Sequence, residues 1–345
     1  MHCVTCTTAV GNCKSPPTSW SRLYLGNWLS GGRTTALVFL LPVLLVWWQM
    51  RRLARFSGLR RTRFYGNPEA SHLVILVHGF MSRDEPMHQV GQLIVQKLPT
   101  EGIPLCVYVA NANNGWRDGG SALQNQAAKL ASEIACVVRS CPNVAILSVV
   151  GVSLGGVVSR LAIPLLSEAV LKRVRLGLFA SVGSPHVGIR GFQARWLTHL
   201  ARVIGYGELC DQMTSPRSTV LGCTSGLEGF TSRSLFYTTL DQRVPAFSAS
   251  ITRREEVENN ASRPLGGVPV FSATSIPPTS SVATSTEEAQ IITALRLLDW
   301  RQVEVKTRSW WVEHLPFLRH LWLHHEPHFI EHVTWTLSHV THAVH

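Results

Sequence analysis

Acidic residues are missing from the first part of this 345-residue chain. Residues 1–68 contain nine Lys or Arg side chains and no Asp or Glu, and the first acidic residue is Glu69. The formal net charge of +11 comes mostly from this segment, because the rest of the chain has 23 basic and 21 acidic side chains. Such a balanced remainder lacks the dense basic stripe that binds phosphate backbones, which argues against a nucleic-acid partner.

Cysteine and charge are scarce as well. The eight cysteines are spread from residue 3 to residue 223, which is too sparse for a disulfide-stapled scaffold. Charged residues make up only 15% of the chain, whereas 45% is hydrophobic. This composition supports a large buried core and excludes wholesale disorder.

The basic segment at residues 1–68 is predicted to be a leader, followed by one globular domain at residues 69–345. Within the leader, residues 34–50 form an uncharged run of 17 residues. A helix of this length spans about 25 Å, slightly less than the roughly 30 Å hydrocarbon core of a bilayer. Trp47 and Trp48 are followed by arginines, as in an interfacial anchor that leaves the downstream domain cytosolic.

Two alternatives to a membrane anchor remain open. The leader could be a targeting segment that is removed, with the domain then residing in an organelle. The run at residues 34–50 could also be a hydrophobic element packed on the fold. We expect membrane association of the whole chain.

From residue 69 onward, the sequence alternates between strand and helix patterns. Continuous apolar runs indicate strands buried on both faces at residues 73–77, 105–110 and 144–150. Apolar residues at helical spacing occupy residues 88–98 and 124–138, and further strand-like runs lie at residues 175–182, 234–240, 268–271 and 302–306. The pattern predicts a mainly parallel central sheet with helices on both faces.

Two segments break this alternation. Residues 186–233 contain one amphipathic stretch, around residues 196–204, and a remainder rich in Gly and Ser, which is typical of a lid between strands. Residues 253–286 are rich in Ser, Thr, Pro and Asn and are predicted to be a surface insertion. A helix is predicted after this insertion, from an N-cap at Ser285 to about Asp299, and a last helix near Pro327.

A serine follows the third buried strand within Gly151-Val152-Ser153-Leu154-Gly155. A serine between a strand and a helix lies on a sharp turn, and glycines two residues to either side avoid steric collision there. This G-x-S-x-G pattern predicts that Ser153 is a nucleophile. Its glycine spacing differs from the G-x-G-x-x-G of dinucleotide sites.

A serine nucleophile requires a base and an acid that orients the base, and in this arrangement both follow the serine in the order acid, then histidine. Asp241 follows the strand at residues 234–240 and is better placed than Asp211, in the lid-like segment, or Asp299, at a helix end. Nine of the 15 histidines lie between residues 314 and 345. We expect His314 to be the base, with His328 and His325 as alternatives.

The oxyanion of an acyl-transfer reaction needs two aimed hydrogen-bond donors. The backbone N–H groups of Phe80, after the first buried strand, and Leu154, at a helix start, are predicted to supply them. Residues 328–332 also read H-x-x-E-H, as in one class of zinc peptidases. A catalytic zinc ion needs a third protein ligand, and no Asp or Glu follows Glu331, so we expect no metal.

Several segments together resemble one known family. They are LVILVHGF, GVSLGGVVSRLAI, ASVGSPHVGIRG, FYTTLDQRVPAFSASI, WRQVEV and FIEHV. The chain is similar, over about residues 72–340, to the putative serine esterase family of lipase-like α/β-hydrolases. It departs from the family pattern at Val152, where the family usually has His.

The resemblance implies an α/β-hydrolase fold, Ser153 as nucleophile, Asp241 as acid and His314 as base, the last from its place between WRQVEV and FIEHV. It also implies a serine hydrolase of carboxylic esters, lipid esters in particular, that forms an acyl-enzyme intermediate and uses no cofactor. The alternative is a catalytically inactive interaction module of the same fold at a membrane.

Overall fold

A computed structural model describes most of the chain after residue 62. The described residues are 63–80, 85–98, 104–114, 120–189, 202–214, 219–238, 241, 244–252, 274–276, 287–305 and 327–342. The chain divides into two compact units, Met1–Arg61 and Thr62–His345, and all the described residues belong to the second. Residues 34–50 therefore lie outside them. Among the described residues, no helix is both long enough and apolar enough to cross a bilayer.

The described strands form one sheet with the order β1-β3-β2-β4-β5-β6-β8-β7. Six central strands pair in parallel, and the two outer strands, β1 and β7, pair antiparallel to their neighbours. The strands are β1 (Phe64–Gly66), β2 (His72–Val77), β3 (Leu105–Val109), β4 (Ile146–Val152), β5 (Arg175–Val182), β6 (Ser232–Tyr237), β7 (Thr274–Ile276) and β8 (Trp300–Glu304).

Helices cover both faces of this sheet. They are α1 (Glu85–Lys97), α2 (Leu123–Ser140), α3 (Leu154–Ala162), α4 (Glu168–Arg173), α5 (Gly207–Thr214), α6 (Ala246–Ser250), α7 (Glu287–Arg296) and α8 (Pro327–His342). One hydrophobic core cluster contains side chains of α2, α3 and α7, and the other contains side chains of α1 and α8. The prediction of a mainly parallel sheet between two helical layers is confirmed.

Strand β2 shows why the core strands read as continuous apolar runs. Leu73, Ile75 and Val77 belong to the first core cluster, whereas Val74 and Leu76 belong to the second. Alternate residues of a strand point to opposite faces. Because both faces are covered by helices, residues 73–77 are all apolar.

Most predicted elements occur within a few residues of their expected bounds, but strand β1 was not predicted. It lies before residue 69, where the sequence suggested that the domain starts, and pairs Phe64 with Tyr108 of β3. Three partly exposed residues are too few to show a periodic pattern. The proposed domain boundaries remain a prediction.

The two irregular segments are described in part. In the lid-like segment, residues 196–201 lie outside the described residues, and a short π-helix, Arg202–Tyr206, leads into α5. The predicted strand at residues 268–271 also lies outside them. Strand β7 pairs with β8 from within the predicted surface insertion. The assignment of residues 186–233 as a lid stays a prediction.

A buried serine–histidine pair lies near the amino ends of β2 and β4. The register between β4 and β5 shifts between Leu147 and Val149. The intervening Ser148 turns its Oγ to accept the backbone N–H of Leu178 at 2.8 Å, and a 2.7 Å hydrogen bond joins the same Oγ to His72 Nε2. Burial, with a smaller contribution from Arg175, lowers the pKa of His72 to about 3. His72 is therefore neutral at physiological pH.

Candidate active site

Ser153 occupies the turn between β4 and α3. Its backbone angles are φ 54° and ψ −129°, in a region that residues other than glycine rarely adopt. Its N–H donates to Val182 O at 2.8 Å, which fixes the turn to the end of β5. Such strained conformations cost about 1 to 3 kcal/mol and persist where the surrounding structure enforces them.

The glycines of the G-x-S-x-G pattern are required by close backbone approaches. A Cβ atom on Gly151 would overlap the Cα of Gly156, and one on Gly155 would overlap the carbonyl oxygens of Val77 and His78. Helix α3 can therefore start directly against the ends of β2 and β4 only if these positions lack side chains. This is the steric role that the sequence predicted for them.

The loop after β2 lies beside Ser153. A Cβ atom on Gly79 would lie 2.8 Å from the Cβ of Ser153 and 3.3 Å from its Oγ. Phe80, whose backbone N–H was predicted as an oxyanion donor, is the next residue. The second predicted donor, Leu154, is the first residue of α3, and the N–H groups of a first helical turn have no acceptor within their own helix.

Asp241 lies just beyond β6, at the same edge of the sheet. Its N–H donates to Thr238 O at 3.4 Å, and its Oδ1 accepts the N–H of Val244 at 3.1 Å. Because β4, β5 and β6 are parallel neighbours, their carboxyl ends meet at one edge. Asp241 and Ser153 are thus separated by the single strand β5.

The side chains of the three candidate bases lie outside the described part of the structure. His314 and His325 lie outside the described residues. His328 belongs to α8, but its side chain lies outside the described part. The structure therefore brings together Ser153, Leu154 and the Phe80 loop, and places Asp241 at the same edge, whereas the choice of base stays a prediction.

Two buried polar side chains near this edge were not predicted. Arg160, on α3, is fully buried; its Nη2 donates to Leu221 O at 2.9 Å and to His186 O at 3.4 Å. His186, after β5, is also fully buried, and its Nε2 forms a 2.7 Å hydrogen bond with Ser181 Oγ. Burial, and then the charge of Arg160, lowers the pKa of His186 well below its usual 6.5.

Both residues occur in the segments that carry the family resemblance, GVSLGGVVSRLAI and ASVGSPHVGIRG. One sequence signal could have singled out Arg160, because it is the one charged residue in a nine-residue helix that is otherwise uncharged. Burial lowers the pKa of Arg160 to about 10, so its side chain remains charged at neutral pH. Through the hydrogen bond from Arg160 Nη2 to His186 O, the two residues join α3 to the segment after β5.

The described side chains of the H-x-x-E-H sequence, Glu331 and His332, contact neighbouring elements of the domain. Glu331 pairs with Lys97 of α1 at 3.1 Å, and the ring of His332 packs edge-on against Phe236, with 5.2 Å between centroids. Burial, and then Arg301, lowers the pKa of His332 to about 4. Within the described part of the chain, no cluster of three or more His, Cys, Asp or Glu side chains could hold a metal ion.

Comparisons with known proteins relate the chain to esterases. A model of the family described as putative serine esterase matches residues 67–250. A search of curated protein sequences found no significant match.

Solved structures match the chain at low identity. Lipase B of Aspergillus fumigatus is 16% identical with a TM-score of 0.39; the match covers 55% of this chain and 43% of the lipase, so the chain spans less than half of that protein. A gene product of Listeria innocua is 11% identical with a TM-score of 0.44, covering 77% of this chain and 94% of that one. Mouse alpha/beta hydrolase domain-containing protein 10 is 10% identical with a TM-score of 0.42, covering 83% and 98%.

The family match and the architecture agree. A mainly parallel sheet whose central strand turns through a strained serine into a helix is the α/β-hydrolase fold. Since the family model covers more than half of the sequence, the chain belongs to the putative serine esterase family.

Proposed function

We propose that the protein is a serine hydrolase that cleaves carboxylic esters, lipid esters in particular, through an acyl-enzyme intermediate. The conformation of Ser153, at φ 54° and ψ −129°, is the observation that carries the proposal. This backbone presents the hydroxyl at the end of a buried strand and beside the N-terminus of α3, where the helix dipole favours negative charge.

In the proposed reaction, Ser153 Oγ attacks the ester carbonyl carbon while His314 accepts the hydroxyl proton. The carboxylate of Asp241 orients the imidazole and stabilises its protonated form. The N–H groups of Phe80 and Leu154 bind the oxyanion, and each such donor typically contributes about 3 kcal/mol to transition-state stabilisation. The carbon–oxygen bond to the alcohol then breaks, and the alcohol leaves with the proton from His314.

A water molecule completes the cycle. It attacks the acyl-enzyme carbonyl as His314 accepts a water proton, and the carboxylic acid leaves while Ser153 regains its proton. These steps need only the chain, the ester and water. Association with a membrane through residues 34–50, with the catalytic domain on the cytosolic side, is part of the proposal, because it would keep the enzyme near lipid esters.

Substitution Ser153→Ala tests the mechanism directly. We expect it to abolish hydrolysis of p-nitrophenyl esters and labelling by a fluorophosphonate probe, because both require the serine oxygen. Ser159→Ala, on the same helix, is the matched control and should retain both. Turnover that survives in Ser153→Ala would reject the mechanism, and a wild type that never labels would favour the inactive interaction module.

The base is tested separately. His314→Ala should remove activity, whereas His328→Ala and His325→Ala should retain it. If His328→Ala or His325→Ala removes activity and His314→Ala does not, the base is reassigned and the reaction class stands.

A further inference from the structure

Tyr206 lies next to the loop that would hold the oxyanion. Its side chain is buried, with 5% exposed. Its ring meets the ring of Phe80 edge to face, with 5.6 Å between the centroids and an interplanar angle of 84°. Edge-to-face pairs have a preferred geometry, so this contact restrains the orientation of the Phe80 ring.

The ring of Tyr206 packs closely against the backbone of Gly120. A Cβ atom on Gly120 would overlap the ring of Tyr206. The tyrosine ring thus lies against both the backbone of Gly120 and the ring of Phe80. Any larger residue at position 120 would displace it.

The segment that carries Tyr206 is held to the domain at several points. Arg202 pairs with Asp211 at 2.7 Å and links the π-helix to α5. From α5, Gln212 Oε1 accepts the N–H of Leu123 at 2.8 Å, and the carbonyl of Met213 accepts the N–H of Ile189 at 2.9 Å. Tyr206 is therefore presented by a braced segment and not by an isolated loop.

Phe80 needs such support because its ring is partly in solvent. It is 38% exposed, so burial alone restricts it only in part. Its backbone follows Gly79, which lies so close to Ser153 that an added Cβ atom would be 2.8 Å from the Ser153 Cβ. The ring is joined to the backbone through Cβ and Cα, so a contact that holds the ring also restrains the Phe80 Cα and the adjacent N–H, the proposed oxyanion donor.

We infer that Tyr206 is a positioning residue for the oxyanion donor: its ring fixes Phe80 and thereby aims the Phe80 N–H at the reacting carbonyl oxygen. The inference rests on the proposed function for its catalytic consequence, although the restraint on Phe80 is a structural claim. A donor displaced by a fraction of an ångström stabilises the developing charge less but binds the neutral ester almost as well. The expected effect is therefore on kcat and not on KM.

The experiment compares Tyr206→Ala, Tyr206→Leu and Tyr206→Phe in the full chain with a p-nitrophenyl ester. We expect Tyr206→Ala and Tyr206→Leu to lower kcat about tenfold or more with KM within about twofold. Tyr206→Phe keeps the ring and should retain at least half of the wild-type kcat. Val203→Ala is the matched control from the same segment, since Val203 is 72% exposed, and should match the wild type.

A second readout does not depend on turnover. In protein labelled with ¹⁵N-phenylalanine, the Phe80 amide resonance, assigned through Phe80→Leu, should shift in Tyr206→Leu and stay in place in Val203→Ala. An unchanged resonance and an unchanged kcat in Tyr206→Leu would overturn the inference, as would an equal loss in Tyr206→Phe. If the resonance shifts but the wild type has no esterase activity, the proposed function fails and the restraint on Phe80 stands.

Discussion

Two buried serine–histidine pairs, with the same hydrogen-bond distance, lie near opposite ends of the parallel strands. His72 and Ser148 are in the amino-terminal half, and Ser181 and His186 are at the carboxyl edge; in each pair Nε2 and Oγ are 2.7 Å apart. Burial lowers the pKa of both histidines. The pairs differ in their surroundings: among the described residues, the charge beside His186 is that of the buried Arg160, whereas the charge beside His72 is that of the exposed Arg175.

The two pairs also differ in how many of the neighbouring buried polar atoms have hydrogen-bond partners. Ser148 also accepts the N–H of Leu178. At the carboxyl edge, His186 Nδ1 and the Nε and Nη1 of Arg160 have no hydrogen-bond partner in the described part of the structure. Buried polar groups without partners cost stability. His186 follows β5 at the carboxyl edge, where α/β folds place their binding sites, so unpartnered polar groups are buried beside that edge.

The largest expected effect comes from acid. A histidine whose folded pKa lies below its unfolded value of about 6.5 opposes folding once the unfolded chain takes up a proton. His72, with a folded pKa of about 3, should therefore reduce the free energy of unfolding by about 1.4 kcal/mol per pH unit as the pH falls from 6.5 towards 3. Above pH 6.5, His72 is neutral in both the folded and the unfolded chain, and this loss of stability disappears.

Urea unfolding at pH 7, 6 and 5 measures this slope. His72→Gln should make the slope shallower, by close to that amount between pH 6 and 5 and by less between pH 7 and 6, where the unfolded histidine is only partly protonated. His186→Gln should change the slope in the same direction, because burial lowers the pKa of His186 as well. A slope equal to that of the wild type in His72→Gln would contradict a neutral, buried His72.

Replacing the serine of each pair by alanine should lower the stability of the protein by different amounts. Ser148→Ala removes two buried hydrogen bonds of Ser148 Oγ, one with the Leu178 N–H and one with His72 Nε2, and we expect a loss of about 2 to 4 kcal/mol. Ser181→Ala deprives His186 Nε2 of its partner and should cost about 1 to 2 kcal/mol. Denaturant melts of both variants check the order, and a greater loss for Ser181→Ala would reverse our assignment of the better-satisfied end.

The smallest effect is expected from replacing the buried arginine by an apolar residue. Arg160→Met loses the Nη2 hydrogen bonds to Leu221 O and His186 O but also removes the buried charge and the unpartnered Nε and Nη1. These effects oppose each other, so stability should stay within about 1 kcal/mol of the wild type. Arg160→Lys keeps a buried charge but loses the planar donor geometry, and should be the less stable of the two. Thermal melts of both variants test this, and a more stable Arg160→Lys would indicate a partner for the charge.

Much of the fold could be predicted from local pattern. The mainly apolar runs of β2, β3, β4 and β5 predicted parallel strands because a strand covered on both faces has few positions that suit a polar side chain. Ser153 could be predicted as the turn residue because glycines at residues 151 and 155 flank it at the end of such a strand. The short edge strand β1 could not, since its place depends on a partner 44 residues away.

The rest of the site depends on contacts between distant segments. Arg160 and His186 are residue types that are usually exposed or half-buried, and only the packing of α3 against the loop after β5 buries them. Tyr206 comes from a segment with weak periodicity, and its contact with Phe80 joins positions more than 120 residues apart. Spacing along the chain carries no information about such pairs.

The sequence by itself determined the alternation of strands and helices, the elbow at Ser153 and the edge of the sheet where chemistry would occur, because these follow from short-range periodicity and from the sterics of one turn. Only the tertiary structure decided which polar groups are buried between α3 and the segment after β5, and which aromatic ring packs against Phe80. The physical reason is that burial and ring contacts depend on which segments meet in space, and desolvation acts on a group only after they have met.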